Sequence, residues 1–142
     1  MDHTIIVQIG LLDMEKVVVD LSHVHAAIFD MDGTLVNNMG FHKRAWKTFL
    51  QGHGKNLTEA FDVILGDEHV SQSKPNPEIY LETAKKLEVA PEFCLVFEDS
   101  PPGVEAGKNA GMKVVGLLTS HMAGELERAD YIVEDYTRIE FR

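Results

Sequence analysis

Two carboxylates one residue apart, in the run Asp30-Met31-Asp32-Gly33-Thr34, are the chemically most suggestive feature of this chain. They follow the apolar stretch His25-Ala26-Ala27-Ile28-Phe29, which reads as a buried strand. The pair is therefore expected where a strand ends, and Gly33 permits a sharp turn immediately afterwards. In open α/β sheets, ligands bind just beyond the carboxyl ends of the strands. A carboxylate pair there can hold a hard cation, and one member can attack an electrophile. Phosphoryl transfer is the first chemistry to consider.

Two further clusters belong with this one. Phe97-Glu98-Asp99-Ser100 again places acids at a strand end, and Lys74-Pro75-Asn76-Pro77 lies just before a helix. Each alone has an ordinary reading: a carboxylate after a strand commonly caps a helix, and a lysine before proline is commonly solvated. Their combination and order are far more specific. D-x-D-G-T alone should recur by chance in about one chain per thousand of this length.

The intervening sequence supplies elements to position these groups. Residues 25–30, 61–65, 93–98, 113–118 and 131–133 read as strands, and residues 41–52, 77–88 and 102–110 as helices, with a short helix around 122–128. Asn76 is placed to cap the helix that opens at Pro77, and Gly111 to end the one before it. Such alternation predicts an α/β fold with a parallel sheet flanked by helices. Right-handed crossovers then collect Asp30, Asp32, Gly66, Glu98 and Asp99 along one edge. The β-branched runs at 5–9 and 16–21 predict a hairpin in an N-terminal extension, residues 1–22, ahead of a core domain at 23–142.

Composition narrows the field. At 142 residues the chain suits one domain, and its 44% hydrophobic content can build a core. A net charge of -10 argues against nucleic acid or an anionic membrane as a partner. No run is long and apolar enough to span a bilayer, and the first residues lack the basic start of a secretory signal. The single cysteine, Cys94, sits in an apolar run and reads as a buried hydrophobe. With no internal disulfide available, a reducing cytoplasm is the expected location. The histidines show no zinc-ligand spacing.

Taken together, these segments resemble the haloacid dehalogenase superfamily of phosphatases and phosphotransferases. D-M-D-G-T resembles its first motif, the Lys74 region its third and E-D-S its fourth, over residues 24–132. His42-Lys43-Arg44-Ala45-Trp46 and the stretch from Glu98 to Gly107 are similar to the β-phosphoglucomutase subgroup. The resemblance implies a Rossmann-like core. It makes Asp30 the nucleophile that forms an aspartyl-phosphate, and Asp32 the acid and base. It implies one Mg²⁺ held by Asp30, the backbone carbonyl of Asp32 and an acid of the fourth motif, Asp99 first and Glu98 beside it. Lys74 would offset negative charge on the nucleophile and the phosphate. Gly33, Thr34, His42, Ser73 and Lys74 would contact the substrate, a small phosphorylated metabolite such as a sugar phosphate.

The chain departs from that family pattern between its first and third motifs. Only 44 positions separate Asp30 from Lys74, so the cap domain is absent or vestigial. A deletion near residues 58–61 is expected to have removed the second motif, a Ser or Thr at a strand end. Ser71 and Ser73 are the substitutes at hand. A missing strand would expose sheet edges and invite self-association. Without a cap, water reaches the phospho-enzyme, which favours hydrolysis over mutase chemistry. Three functions follow in order: a Mg²⁺-dependent phosphatase, a β-phosphoglucomutase, and a catalytically impaired remnant that binds Mg²⁺ or phosphate. Trp46 and the patch of Lys43, Arg44 and Lys47 read as packing and as a solvated face, respectively.

Overall fold

The computed structural model describes residues 16–31, 34 and 61–142. Six strands and two helices account for its regular structure. They run β1 (Val17–Val19), β2 (Ala26–Phe29), α1 (Glu78–Lys86), β3 (Cys94–Glu98), α2 (Pro101–Asn109), β4 (Lys113–Leu117), β5 (Tyr131–Val133) and β6 (Ile139–Phe141). The first helix and the strands on either side of α2 lie where the apolar periodicity predicts them.

The main sheet has the order β2-β3-β4-β5, and every pair in it is parallel. Phe29 pairs with Phe97, and Glu98 with Gly116. All four strands therefore end on one edge. Both faces are covered, which explains why β3 is a continuous apolar run with every residue buried. On one face Ile28, Val96 and Val114 pack with Tyr80 and Ala84 of α1 and with Val104 and Ala106 of α2. On the other, Leu95, Phe97, Val115 and Leu117 meet Val19 and Ile139. Cys94 is the buried hydrophobe that its apolar neighbours predict.

Two expectations change, and the strand expected at 16–21 gains a partner that the sequence does not show. The run at 16–21 forms β1, which pairs in parallel with β6 near the opposite end of the chain and buries Val19 in the core. The expected hairpin partner at 5–9 lies outside the described residues, as do the helix at 41–52 and His42. Residues 61–65 form no strand. Their side chains alternate between half-buried and exposed, and Phe61 packs edge-on against Phe29 at 6.5 Å. Short apolar runs report burial more surely than they report a ladder partner. The helix expected around 122–128 is a single 3-10 turn at Ala123–Glu125, held by the Met122 N–H on the Glu125 carboxylate. Gly124 at its centre offers little to extend it.

Candidate active site

Asp30 continues β2 by one residue, its N–H donating to the Phe97 carbonyl at 3.0 Å. Glu98 closes the neighbouring strand β3, and Asp99 follows it. Ser100 then caps α2, its hydroxyl accepting from the Gly103 N–H at 3.2 Å ahead of two prolines that suit a first helical turn. This strand-to-helix junction turns the backbone N–H groups of Asp99 and Ser100 onto the Glu98 carboxylate, at 3.0 and 3.2 Å.

Lys74 arrives from the other side. Its loop is fastened to the first turn of α1 by Glu78, which accepts from the Ser71 N–H and hydroxyl and from the Gln72 N–H, all at 2.8–2.9 Å. These donors hold the Glu78 carboxyl below its usual range. Asn76 adds the expected cap by accepting from the Glu78 N–H at 3.0 Å. The Lys74–Pro75 peptide is cis.

The three predicted segments converge. Lys74 Nζ donates to Asp30 Oδ1 at 2.6 Å and also to Glu98 Oε1. Carboxylate oxygens of Asp30, Glu98 and Asp99 come within 4.8 Å of one another. Three negative groups against one lysine leave a local surplus of negative charge. Burial and the adjacent Glu98 push the Asp30 carboxyl up to about 6, against the lowering effect of Lys74. Burial alone would lower the Lys74 ammonium, but Glu98 and Asp30 reverse that and raise it, so the lysine stays charged.

The acids are not equivalent. Glu98 is fully buried and both its oxygens are engaged. Oε1 takes Lys74 and the Tyr80 hydroxyl, the latter at 2.6 Å, while Oε2 takes the Asp99 and Ser100 N–H groups and the Ser100 hydroxyl. Gly103 allows this packing, because a Cβ there would lie 1.9 Å from the carboxylate. Among the described residues, Asp99 accepts one hydrogen bond, from the buried Thr34 hydroxyl at 3.3 Å, and Asp30 accepts one side-chain hydrogen bond, from Lys74. Oxygen capacity for a hard cation therefore lies with Asp30 and Asp99. An all-carboxylate donor set suits Mg²⁺ and is a poor match for soft metals.

Other predicted residues fall elsewhere. Thr34, expected at the substrate, directs its hydroxyl to Asp99. Ser71, weighed as a stand-in phosphate donor, is bound to Glu78, and Ser73 is exposed in the turn before Lys74. Asp32, Gly33 and His42 lie outside the described residues. Sequence reasoning missed two contributors. Helical periodicity places Tyr80 only on the apolar face of α1, yet its buried hydroxyl meets Glu98. Burial and the Glu98 charge hold that phenol far above its usual range, so it remains a donor. His121 Nδ1 lies 3.1 Å from the Asp99 carbonyl oxygen, and no motif pointed to it.

A parallel α/β sheet with an acidic centre and a lysine at its carboxyl edge defines a Rossmann-like core of the kind the motifs imply. The profile of the haloacid dehalogenase-like hydrolases matches residues 48–117. The bifunctional riboflavin kinase/FMN phosphatase of Arabidopsis thaliana is 56% identical over 59 residues, 42% of this chain and 16% of that protein. The phosphorylated carbohydrates phosphatase of Thermotoga maritima is 46% identical over 66 residues, 46% of this chain and 31% of that protein. Among solved structures, β-phosphoglucomutase from Clostridium difficile superimposes with a TM-score of 0.52 at 30% identity, over 63% of this chain and 39% of that one. Over residues 48–117 the chain is similar to the haloacid dehalogenase-like hydrolases, and its fold is similar to that of β-phosphoglucomutase. It spans well under half the length of these relatives. The 44 positions between Asp30 and Lys74 are too few for a separate domain of usual size.

Proposed function

We propose that this chain carries the catalytic centre of a Mg²⁺-dependent phosphatase for small phosphorylated metabolites, sugar phosphates foremost. The observation that carries this reading is the Asp30 carboxylate at a strand end, 2.6 Å from Lys74 Nζ and within 4.8 Å of Asp99. Asp30 is the nucleophile: its carboxylate attacks phosphorus, the ester oxygen leaves with a proton from Asp32, and water later cleaves the aspartyl-phosphate. Lys74 neutralises charge on Asp30 and on the incoming phosphate. Asp30 and Asp99 would hold the Mg²⁺, which would screen the nucleophile from the phosphate dianion it attacks. Glu98 anchors Lys74, since its own oxygens are already saturated by donors.

A phosphatase that acts on phosphorylated carbohydrates stands among the relatives, which supports the sugar-phosphate assignment. Hydrolysis is favoured over mutase chemistry because no separate domain stands between the first and third motifs to keep water from the phospho-enzyme. The test is release of inorganic phosphate from an aryl phosphate and a sugar-phosphate panel with Mg²⁺, in parallel with Asp30→Asn. Turnover that disappears in the variant supports the assignment; turnover at the wild-type rate rejects Asp30 as nucleophile. Glucose 6-phosphate formed from β-glucose 1-phosphate without free phosphate would instead establish the mutase.

A further inference from the structure

Tyr80 reaches two members of the site with two different parts of one side chain. Its hydroxyl donates to Glu98 Oε1 at 2.6 Å, and its ring lies under Lys74, whose Nζ is 5.1 Å from the ring centroid. Only 2% of the residue is exposed, and it projects from α1 into the core face of the sheet. The same Oε1 also accepts from Lys74. The other oxygen, Oε2, is held by the Asp99 and Ser100 N–H groups and the Ser100 hydroxyl, so the carboxylate cannot rotate freely.

We propose that Tyr80 is a positioning residue: it fixes the Lys74 ammonium against Asp30 by locking the Glu98 oxygen that Lys74 shares and by presenting its ring face to the same cation. A lysine stem is flexible and its ammonium is a compact point charge, so an unsupported Lys74 would sample many positions. A desolvated cation over an aromatic face gains attraction from the ring, and a buried charged hydrogen bond fixes direction. Tyr80 combines both. Among the described residues its polar contacts are to Glu98 and Lys74, and it acts through them.

The assignment rests on Lys74 serving the proposed phosphatase, but its first test needs no turnover. In ¹⁵N-labelled protein, the Lys74 ammonium should give a signal protected from solvent exchange, identified by its loss in Lys74→Met. That ammonium should show a nuclear Overhauser contact to the Tyr80 ring hydrogens in the wild-type protein. Absence of either overturns the proposal, whatever the variants do. In Tyr80→Phe the ring remains and the hydroxyl is lost, so the ammonium signal should shift and broaden while distant backbone resonances stay unchanged. In Tyr80→Leu it should vanish.

The kinetic arm reads the same contact. Tyr80→Phe should lower kcat by about tenfold, the scale of one buried charged hydrogen bond, with KM and the Mg²⁺ half-saturation concentration changed less than twofold. An unchanged ammonium signal, or a kcat loss that merely tracks the unfolded fraction, refutes positioning. If the wild-type chain hydrolyses no ester, the phosphatase reading fails while the ammonium spectra still decide the role of Tyr80.

Discussion

Replacing Gly103 with alanine separates a helix-propensity argument from a site-geometry argument, because the two predict opposite signs. Gly103 lies in the first turn of α2, where alanine should stabilise the helix by about 1 kcal/mol. The structure places the new Cβ 1.9 Å from the Glu98 Cδ and Oε1 and 2.2 Å from Oε2. Ordinary packing requires the carboxylate to retreat by more than about 1 Å. A long side chain on the surface would simply swing away. Glu98 cannot, being fully buried and gripped by Lys74, Tyr80, two backbone N–H groups and Ser100. Losing one or two charged hydrogen bonds costs about 1.5–3 kcal/mol each. Net of the helix gain, the variant should be destabilised by about 0.5–5 kcal/mol, a fall of up to roughly 15 °C in Tm for a domain of this size. Urea unfolding and thermal melts measure it, with Gly124→Ala as the control, since a Cβ at Gly124 meets nothing within 4 Å. A Gly103→Ala protein as stable as wild type, or more stable, would show that Glu98 is not held as described.

Two other perturbations probe charge and structure separately. The Asp30 carboxyl is raised from 3.8 to about 6, so between those values the native state keeps a proton that the unfolded chain has released. This group's contribution to stability therefore falls as pH rises through that window, leaving a repulsive centre above it that a cation can relieve. Added Mg²⁺ should raise Tm at about pH 7.5 and much less at about pH 5, where the proton competes for Asp30; equal shifts at both would refute the Asp30 site. Chelation with EDTA should abolish phosphate release and reverse the Tm gain. Away from the site, Asp130 accepts from Lys108 Nζ at 2.8 Å and from the Val114 N–H at 2.7 Å. Asp130→Ala should cost about 1–2 kcal/mol in urea unfolding while leaving kcat unchanged; a collapse of kcat with normal stability would contradict that division.

The parts of the site legible in sequence are those where chemistry and chain geometry coincide. A strand that ends on an acid announces its own edge, so Asp30, Glu98 and Asp99 could be placed before any coordinates. Lys74 could be placed because Asn76 and Pro77 mark the helix start behind it. What stayed hidden depends on long-range pairing or on one atom of a side chain. A three-residue run such as Val17–Val19 signals a strand but cannot identify Ile139–Phe141 as its partner across most of the chain. Helical periodicity places Tyr80 on the buried face of α1 and is silent about its hydroxyl.

The division of labour between Glu98 and Asp99 is not written in the residue types, because the two are adjacent and identically charged; only the family resemblance ranks Asp99 first as a ligand. Their difference arises one residue later. The Ser100 cap bends the backbone so that two N–H groups and a hydroxyl face Glu98, while Asp99 points to the Thr34 hydroxyl on the other side. A carboxylate with five donors has little affinity left for a cation, and one with a single donor among the described residues keeps more. The cap therefore sorts two neighbouring acids into an anchor for Lys74 and a carboxylate left open for the proposed Mg²⁺. Gly103, three residues into the same turn, is the position that gives the anchor its space.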